Sequence, residues 1–370
     1  MMKHNPDNER IKRQYFAYLK EAKRHSEATV DGVAKALARF EADTKCRDFK
    51  KFQSDQAIAF KRHLADQKAQ RTGEKLSKAT LHSTLASLKS FFHWLAGQPG
   101  YKSKLQYSDA DYFNLSEKDV RVAIARRDQV GPTLEQVRRV IETMPHQTAI
   151  EKRDRALIAF TLLTGARDSA ITSFKLKHVN LVEGSVFQDA RDVKTKFSKT
   201  FTTHFFPVGD GIATIVHDWV NYLRTELLWG NDDPLFPTTR VEVSAARRFE
   251  AVGLERTHWR SAAAIRGIFK AAFVRSGLAY FNPHSFRNTL VRLGQDVCQS
   301  PEDFKAWSQN LGHDKVLTTF MSYGQVQNHR QAEILKALAK PRLTTPAGSD
   351  EFVQAVIKGI RESQHQGGFV

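Results

Sequence analysis

Apolar positions recur with a helical period along most of this chain. Between Asn8 and about Trp94, Ile11, Tyr15, Phe16 and Leu19 form one stripe, and Val30, Val33, Leu37 and Phe40 form a second. A third helix is predicted to start at Ser54, a favourable N-cap residue, and carries Ile58 and Leu64. A fourth starts at Ser77, after an Arg71-Thr72-Gly73 break, and shows Leu81, Leu85, Leu88, Phe92 and Leu95. Four short amphipathic helices can bury one small core between them, so residues 1–100 read as a helical domain.

Gly97-Gln-Pro-Gly100 ends that pattern, and residues 101–131 show no sustained period apart from a short helix expected over Ser116–Arg127. Irregular chain of that length suits a linker between domains. Thr133 and Gln136 are then spaced as a capping box, opening a helix with the stripe Val137, Val140, Ile141 and Met144. The next helix, Lys152–Thr164, carries Leu157, Phe160 and Leu163 and stops at Gly165. One convincing strand region follows: Val179–Val182, Ser185–Phe187 and Thr200–Val208, rich in valine, threonine and phenylalanine and broken at Glu183-Gly184. Helices are predicted again over Ile212–Leu227, Ser261–Ser276, Ser285–Gln295, Pro301–Asn310 and Gln325–Ala339, closing a second domain at 132–340. In the tail, 341–370, a flexible stretch leads to an isolated amphipathic helix, Asp350–Glu362, with Phe352, Val356, Ile357 and Ile360. The fold class expected is mainly α with a small antiparallel β-sheet.

Charge narrows the choice of partner. The 370 residues carry 57 Lys+Arg against 40 Asp+Glu, a formal net charge of +17, which favours a polyanion. A membrane is not the expected polyanion, because no apolar run approaches the ~20 residues of a spanning helix. The N-terminal residues lack an apolar signal segment, and Cys46 and Cys298 are expected to be reduced thiols of a cytoplasmic protein. There is no His-Glu-x-x-His helix, phosphate loop or serine elbow, so no metal and no cofactor is expected.

The candidate chemistry lies in Thr164-Gly-Ala-Arg167, in Asn-Pro-His284-Ser-Phe-Arg287, in Leu311-Gly-His313 and in Tyr323. His284 and Arg287, spaced i, i+3 at a helix start, point the same way, where the helix terminus favours phosphate. Each signal alone has a plain structural explanation: an arginine closing a helix end, a histidine cap, an aromatic on a helix face. Their order and spacing, with Lys194, Lys196 and Lys199 clustered at a hairpin, fit a phosphodiester held by guanidiniums and imidazoles and attacked by a tyrosine hydroxyl.

These successive boxes resemble those of the tyrosine recombinase (phage integrase) family over about Thr133–Lys340, and the preceding four-helix segment resembles that family's core-binding domain. The resemblance implies an N-terminal four-helix core-binding domain plus an α+β catalytic domain, with Arg167, Lys199, His284, Arg287, His313 and Tyr323 as catalytic residues. Lys199 stands eight residues before Pro207, the spacing that best resembles the family lysine, and Lys194 is its rival. One departure is Ala170, where the family usually has an acidic residue three positions after the first arginine; Asp168 is expected to face elsewhere. The arm-binding domain of some integrases is expected to be absent, since the first helix begins near Asn8.

The expected function is site-specific recombination through a 3′-phosphotyrosine, for integration or excision of a mobile element. Alternatives are an Xer-like resolvase of DNA multimers and a non-catalytic DNA-binding regulator on the same scaffold. Partners implied are double-stranded recombination sites, a homotetramer in the synaptic complex that is a monomer when free, and accessory DNA-bending or directionality factors.

Overall fold

A computed structural model describes residues 4–69, 73–125, 131–245 and 247–313, in two compact units, Met1–Arg126 and Arg127–Val370. The first unit contains the four expected helices: α1 (Pro6–Ala17, extended by a π turn at Tyr18–Ala22), α2 (Glu27–Asp43), α3 (Ser54–Asp66) and α4 (Lys78–Ala96). Side chains of Asn5, Ser26 and Ser77 accept from first-turn backbone N–H groups, satisfying donors that no helical carbonyl can reach. For α3 the cap is Gln53 rather than Ser54, and the Gln53 N–H donates to Gln56 Oε1 at 2.9 Å. The stripes converge on Leu37, Phe40, Phe60, Leu85, Leu88 and Phe92, all fully or almost fully buried.

Residues 101–131 are not simply a linker. Tyr101, Leu105, Ala110 and Phe113 are buried in the first unit's core, across a 3-10 turn at Tyr107–Phe113. A further helix, α5 (Glu117–Ile124), follows. The Phe113 ring lies 5.2–5.7 Å from those of Phe40, Phe52 and Phe92. A 3-10 turn repeats every three residues, so its buried positions do not register as a 3.6-residue period.

In the second unit the Thr133–Gln136 capping box opens α6 (Leu134–Thr143), and α7 (Ala149–Thr164) runs through the core, buried on every side from Ala156 to Thr164. A short helix, α8 (Asp168–Ile171), precedes an antiparallel sheet of β1 (Val179–Asn180), β2 (Ser185–Gln188) and β3 (Phe201–His204), in that spatial order. Then come α9 (Asp210–Asn221, with a π turn at Tyr222–Glu226), α10 (Ala263–Arg275), α11 (Ser285–Val297) and α12 (Pro301–Asn310).

The sheet is not the only β structure. A second hairpin, β4 (Thr238–Val243) with β5 (Phe249–Glu255), lies between α9 and α10. Most of its residues are exposed, so burial imposes no alternation on its sequence. Its base is fixed by Arg153 of α7, a fully buried guanidinium that donates to the Pro237 carbonyl (3.1 Å) and Thr239 Oγ1 (2.9 Å) and stacks over Trp259. The helices expected at Gln325–Ala339 and Asp350–Glu362 lie outside the described residues.

Candidate active site

Gly165 ends α7 in the left-handed region (φ 58°, ψ 21°), a conformation that glycine adopts without steric cost. The chain turns there and delivers Arg167 as the extended residue before α8. Buried Pro283 sets the entry to α11, with His284 at its cap position and Arg287 in its first turn. Arg287 is 6 % exposed, and its guanidinium runs inward. Nη1 donates to the Gly165 carbonyl at 2.6 Å, Nη2 donates to the Leu311 carbonyl at 2.5 Å, and Nη2 stands 2.8 Å from His313 Nε2. A guanidinium can only donate, so that Nε2 is the acceptor and the imidazole proton sits on Nδ1. One side chain therefore joins the end of α7, the start of α11 and the turn after α12, three segments far apart in sequence.

Two further expected residues, His284 and Arg167, interact electrostatically. His284 keeps solvent contact, yet the protein around it disfavours the imidazolium; desolvation is the main cause, and the charges of Arg287, Arg167 and Lys196 add to it. Asp168 opposes the shift, and the net direction is downward from the ordinary histidine value. Arg167 is half-buried, and desolvation lowers its pKa, although an arginine retains its charge. At the departure from the family pattern, Ala170 is buried and offers no carboxylate. Asp168 turns to α10, where its Oδ2 accepts from Arg266 Nε at 2.8 Å and lies 2.7 Å from Nη2.

The lysines sit on the loop between β2 and β3, residues 189–200. Asp192 anchors its first half: Lys175 Nζ lies at 3.0 Å and Lys177 Nζ at 2.8 Å, and hydrogen bonds from these two hold the Asp192 carboxyl well below the usual range. The Lys194 N–H donates to Ser173 Oγ at 2.9 Å. Phe197 and Ser198 take left-handed φ values of 60° and 51°, uncommon for residues with side chains and enriched where backbone strain is functional. Sequence spacing singled out Lys199 and Lys194; the charge of a third loop lysine, Lys196, also acts on His284. Only the fold reveals that proximity, because spacing to Pro207 says nothing about where a loop points. Tyr323 lies outside the described residues. Among the described residues, no group of His, Cys, Asp and Glu could hold a metal ion, and no helix is long and apolar enough to cross a membrane.

Residues 133–330 match the Phage integrase family, and residues 13–98 match the phage integrase N-terminal SAM-like domain. This chain is a tyrosine recombinase of the phage integrase family. Members of this family are site-specific recombinases that cleave and rejoin DNA, and this tyrosine recombinase is an enzyme of that kind. It is 23 % identical over 251 residues to tyrosine recombinase XerC of Lactobacillus delbrueckii subsp. bulgaricus, covering 67 % of this chain and 72 % of the relative. It is 21 % identical to XerC of Roseiflexus sp. over 82 % of this chain and 83 % of the relative. The recombinase fold is similar to the Tn1549 transposon integrase in complex with transposon right end DNA (TM-score 0.58, 14 % identity, 89 % of this chain and 99 % of that one). It is likewise similar to a lambda integrase dimer bound to a COC′ core site (TM-score 0.56, 12 % identity, 86 % and 96 %). The helical first unit corresponds to the SAM-like domain and the second to the catalytic domain.

Proposed function

We propose that this recombinase cuts and rejoins DNA through a 3′-phosphotyrosine formed by Tyr323, serving integration or excision of a mobile element. The observation that carries the reading is the Arg287 guanidinium, which gathers the Gly165, Leu311 and His313 segments around one buried cation. The Tyr323 oxygen attacks the phosphorus as the bond to the 5′ oxygen breaks. The tyrosine proton passes to His284, whose depressed pKa keeps a neutral imidazole available as acceptor at neutral pH. A hairpin lysine, Lys199 on sequence spacing, with Lys194 and Lys196 as rivals, delivers a proton to the leaving 5′ oxygen. Arg167 and Arg287 pair with the non-bridging oxygens, and His313 donates from Nδ1. Attack by the 5′ hydroxyl of another strand reverses the sequence, so the bond energy is conserved without ATP or metal.

A second reading, resolution of DNA multimers with the same residues, is favoured by the XerC relatives. Sequencing the DNA around the gene separates the two, because a mobile-element border would indicate integration. Retention of the whole arginine, histidine and tyrosine set in the sequence speaks against a non-catalytic regulator. The central test is Tyr323→Phe on a nicked half-site: binding is retained and no covalent adduct appears on a denaturing gel. An adduct in the mutant would mean another nucleophile.

Assembly belongs to the same proposal: a monomer when free, a homotetramer on two sites, and accessory factors that bend DNA or set direction. The apolar face of Phe352, Val356 and Ile360 then docks on a neighbouring protomer. Deleting everything after Gly348 is expected to leave single-site binding intact while weakening cooperative binding and recombination. A truncated protein that recombines two sites as well as the full chain sinks the docking idea.

A further inference from the structure

The end of α12 and the edge of β3 are joined by one side chain. Asn310 Oδ1 accepts from the His204 N–H at 2.7 Å, and Asn310 Nδ2 donates to the His204 carbonyl at 2.8 Å. The carboxamide thus forms the pair of bonds that a residue of a neighbouring strand would form. The Asn310 carbonyl accepts from Thr203 Oγ1 at 3.1 Å, and that buried hydroxyl also accepts from Gln188 Nε2 of β2 at 2.9 Å. In the described sheet β3 is an outer strand, so Asn310 occupies an edge that no strand pairs there.

Two chemistry-bearing segments leave this junction. The lysine loop runs into Phe201, the first residue of β3. Leu311, whose carbonyl accepts from Arg287, and His313 follow Asn310 directly. We propose that Asn310 is a positioning residue for strand cleavage, stapling the hairpin that carries the general-acid lysine to the turn that carries His313. The staple rests on the reading above that a hairpin lysine protonates the 5′ oxygen. In this role Asn310 acts through its bonds to His204 and Thr203 rather than on the reacting atoms. A merely structural role would be to satisfy an edge strand, in which case its loss would slow every substrate alike.

The test uses the full-length protein and a nicked half-site in two forms, with a normal phosphodiester or with a 5′-bridging phosphorothiolate. Sulfur leaves without protonation, so the second form does not need a placed general acid. Asn310→Leu keeps the branching and the number of side-chain heavy atoms and removes both side-chain hydrogen bonds. Its single-turnover cleavage of the normal bond is expected to fall about tenfold or more, and that of the phosphorothiolate less than about threefold. Asn310→Asp, which keeps the acceptor for the His204 N–H, is expected to lie between wild type and Asn310→Leu, and it carries the test if the leucine variant fails to fold. Equal loss on both substrates, or no loss, overturns the proposal. Alanine variants of Lys194, Lys196 and Lys199 run alongside. If none is rescued by sulfur, the general-acid reading falls and the staple's role with it. If one is rescued while the Asn310 variants lose equally on both substrates, only the staple falls.

Discussion

At Arg287 one guanidinium closes two chain segments and faces a histidine, while Arg167 is half-buried on the chain leaving α7. Their removal should differ accordingly. Hydrogen bonds to a charged group are worth ~1.5–3 kcal/mol each, so Arg287→Ala should cost about 3 kcal/mol of stability as well as cleavage. Arg167→Ala should lose cleavage, by roughly 10²-fold or more, with a much smaller drop in Tm. Lysine should substitute poorly at either position because it lacks the planar fork. Thermal melts and single-turnover cleavage of the four variants check this; near wild-type cleavage by either alanine variant removes that arginine from the clamp. Among the loop lysines, the phosphorothiolate should rescue Lys199→Ala most strongly. Rescue of Lys196→Ala alone would hand the role to Lys196, whose charge also acts on His284.

Between elements, β3 packs tightly against the turn after α12 at Gly312. Its φ is +68°, and a Cβ there would meet Phe201 Cζ at 2.7 Å. Left-handed strain costs an L-residue ~1–2 kcal/mol, and overpacking typically adds ~1–3 kcal/mol. Gly312→Ala is therefore expected to lower stability by about 2 kcal/mol or more and to slow cleavage, since His313 follows directly. Urea unfolding with an unchanged midpoint would show that β3 and the turn are not packed together. The β4–β5 hairpin leaves no periodic pattern in its own sequence, because its anchor, Arg153, lies on α7, about eighty-five residues upstream. Pairing and a distant anchor hold the hairpin, so nothing in its own sequence needs to alternate.

For the whole molecule, two solution dependences follow from charge. With a net charge of +17, DNA affinity should fall steeply with salt, by a log–log slope of about −0.9 for each phosphate neutralised. An affinity unchanged between ~50 and ~200 mM salt would contradict an electrostatic grip on the backbone. The second dependence is on pH. His178, His258 and His284 all have pKa values lowered in the fold, each chiefly by desolvation. The unfolded chain then binds protons that the folded chain resists, so these groups favour folding above the ordinary histidine pKa of ~6.5. That contribution is lost as pH falls below this value through the depressed folded values. Unfolding free energy should therefore decline on acidification from pH ~7 to ~5, and a flat profile would contradict the lowered pKa values of these histidines.

What the sequence determined by itself is local. The four helices of the first unit, the capping box at Thr133, the stop at Gly165 and the boxes around Arg167, His284, Arg287 and His313 are legible because caps, glycine turns and helical periods act within a few residues. Contacts between distant segments were decided only by tertiary structure. The burial of Tyr101 and Phe113, the anchoring of the β4–β5 hairpin by Arg153, the turn of Asp168 to Arg266 and the bond from Asn310 to His204 all join residues whose partners lie elsewhere in the chain. No spacing rule reports such a partner. A hydrogen bond across a hundred residues is set by where two elements meet, and packing of the core fixes that meeting.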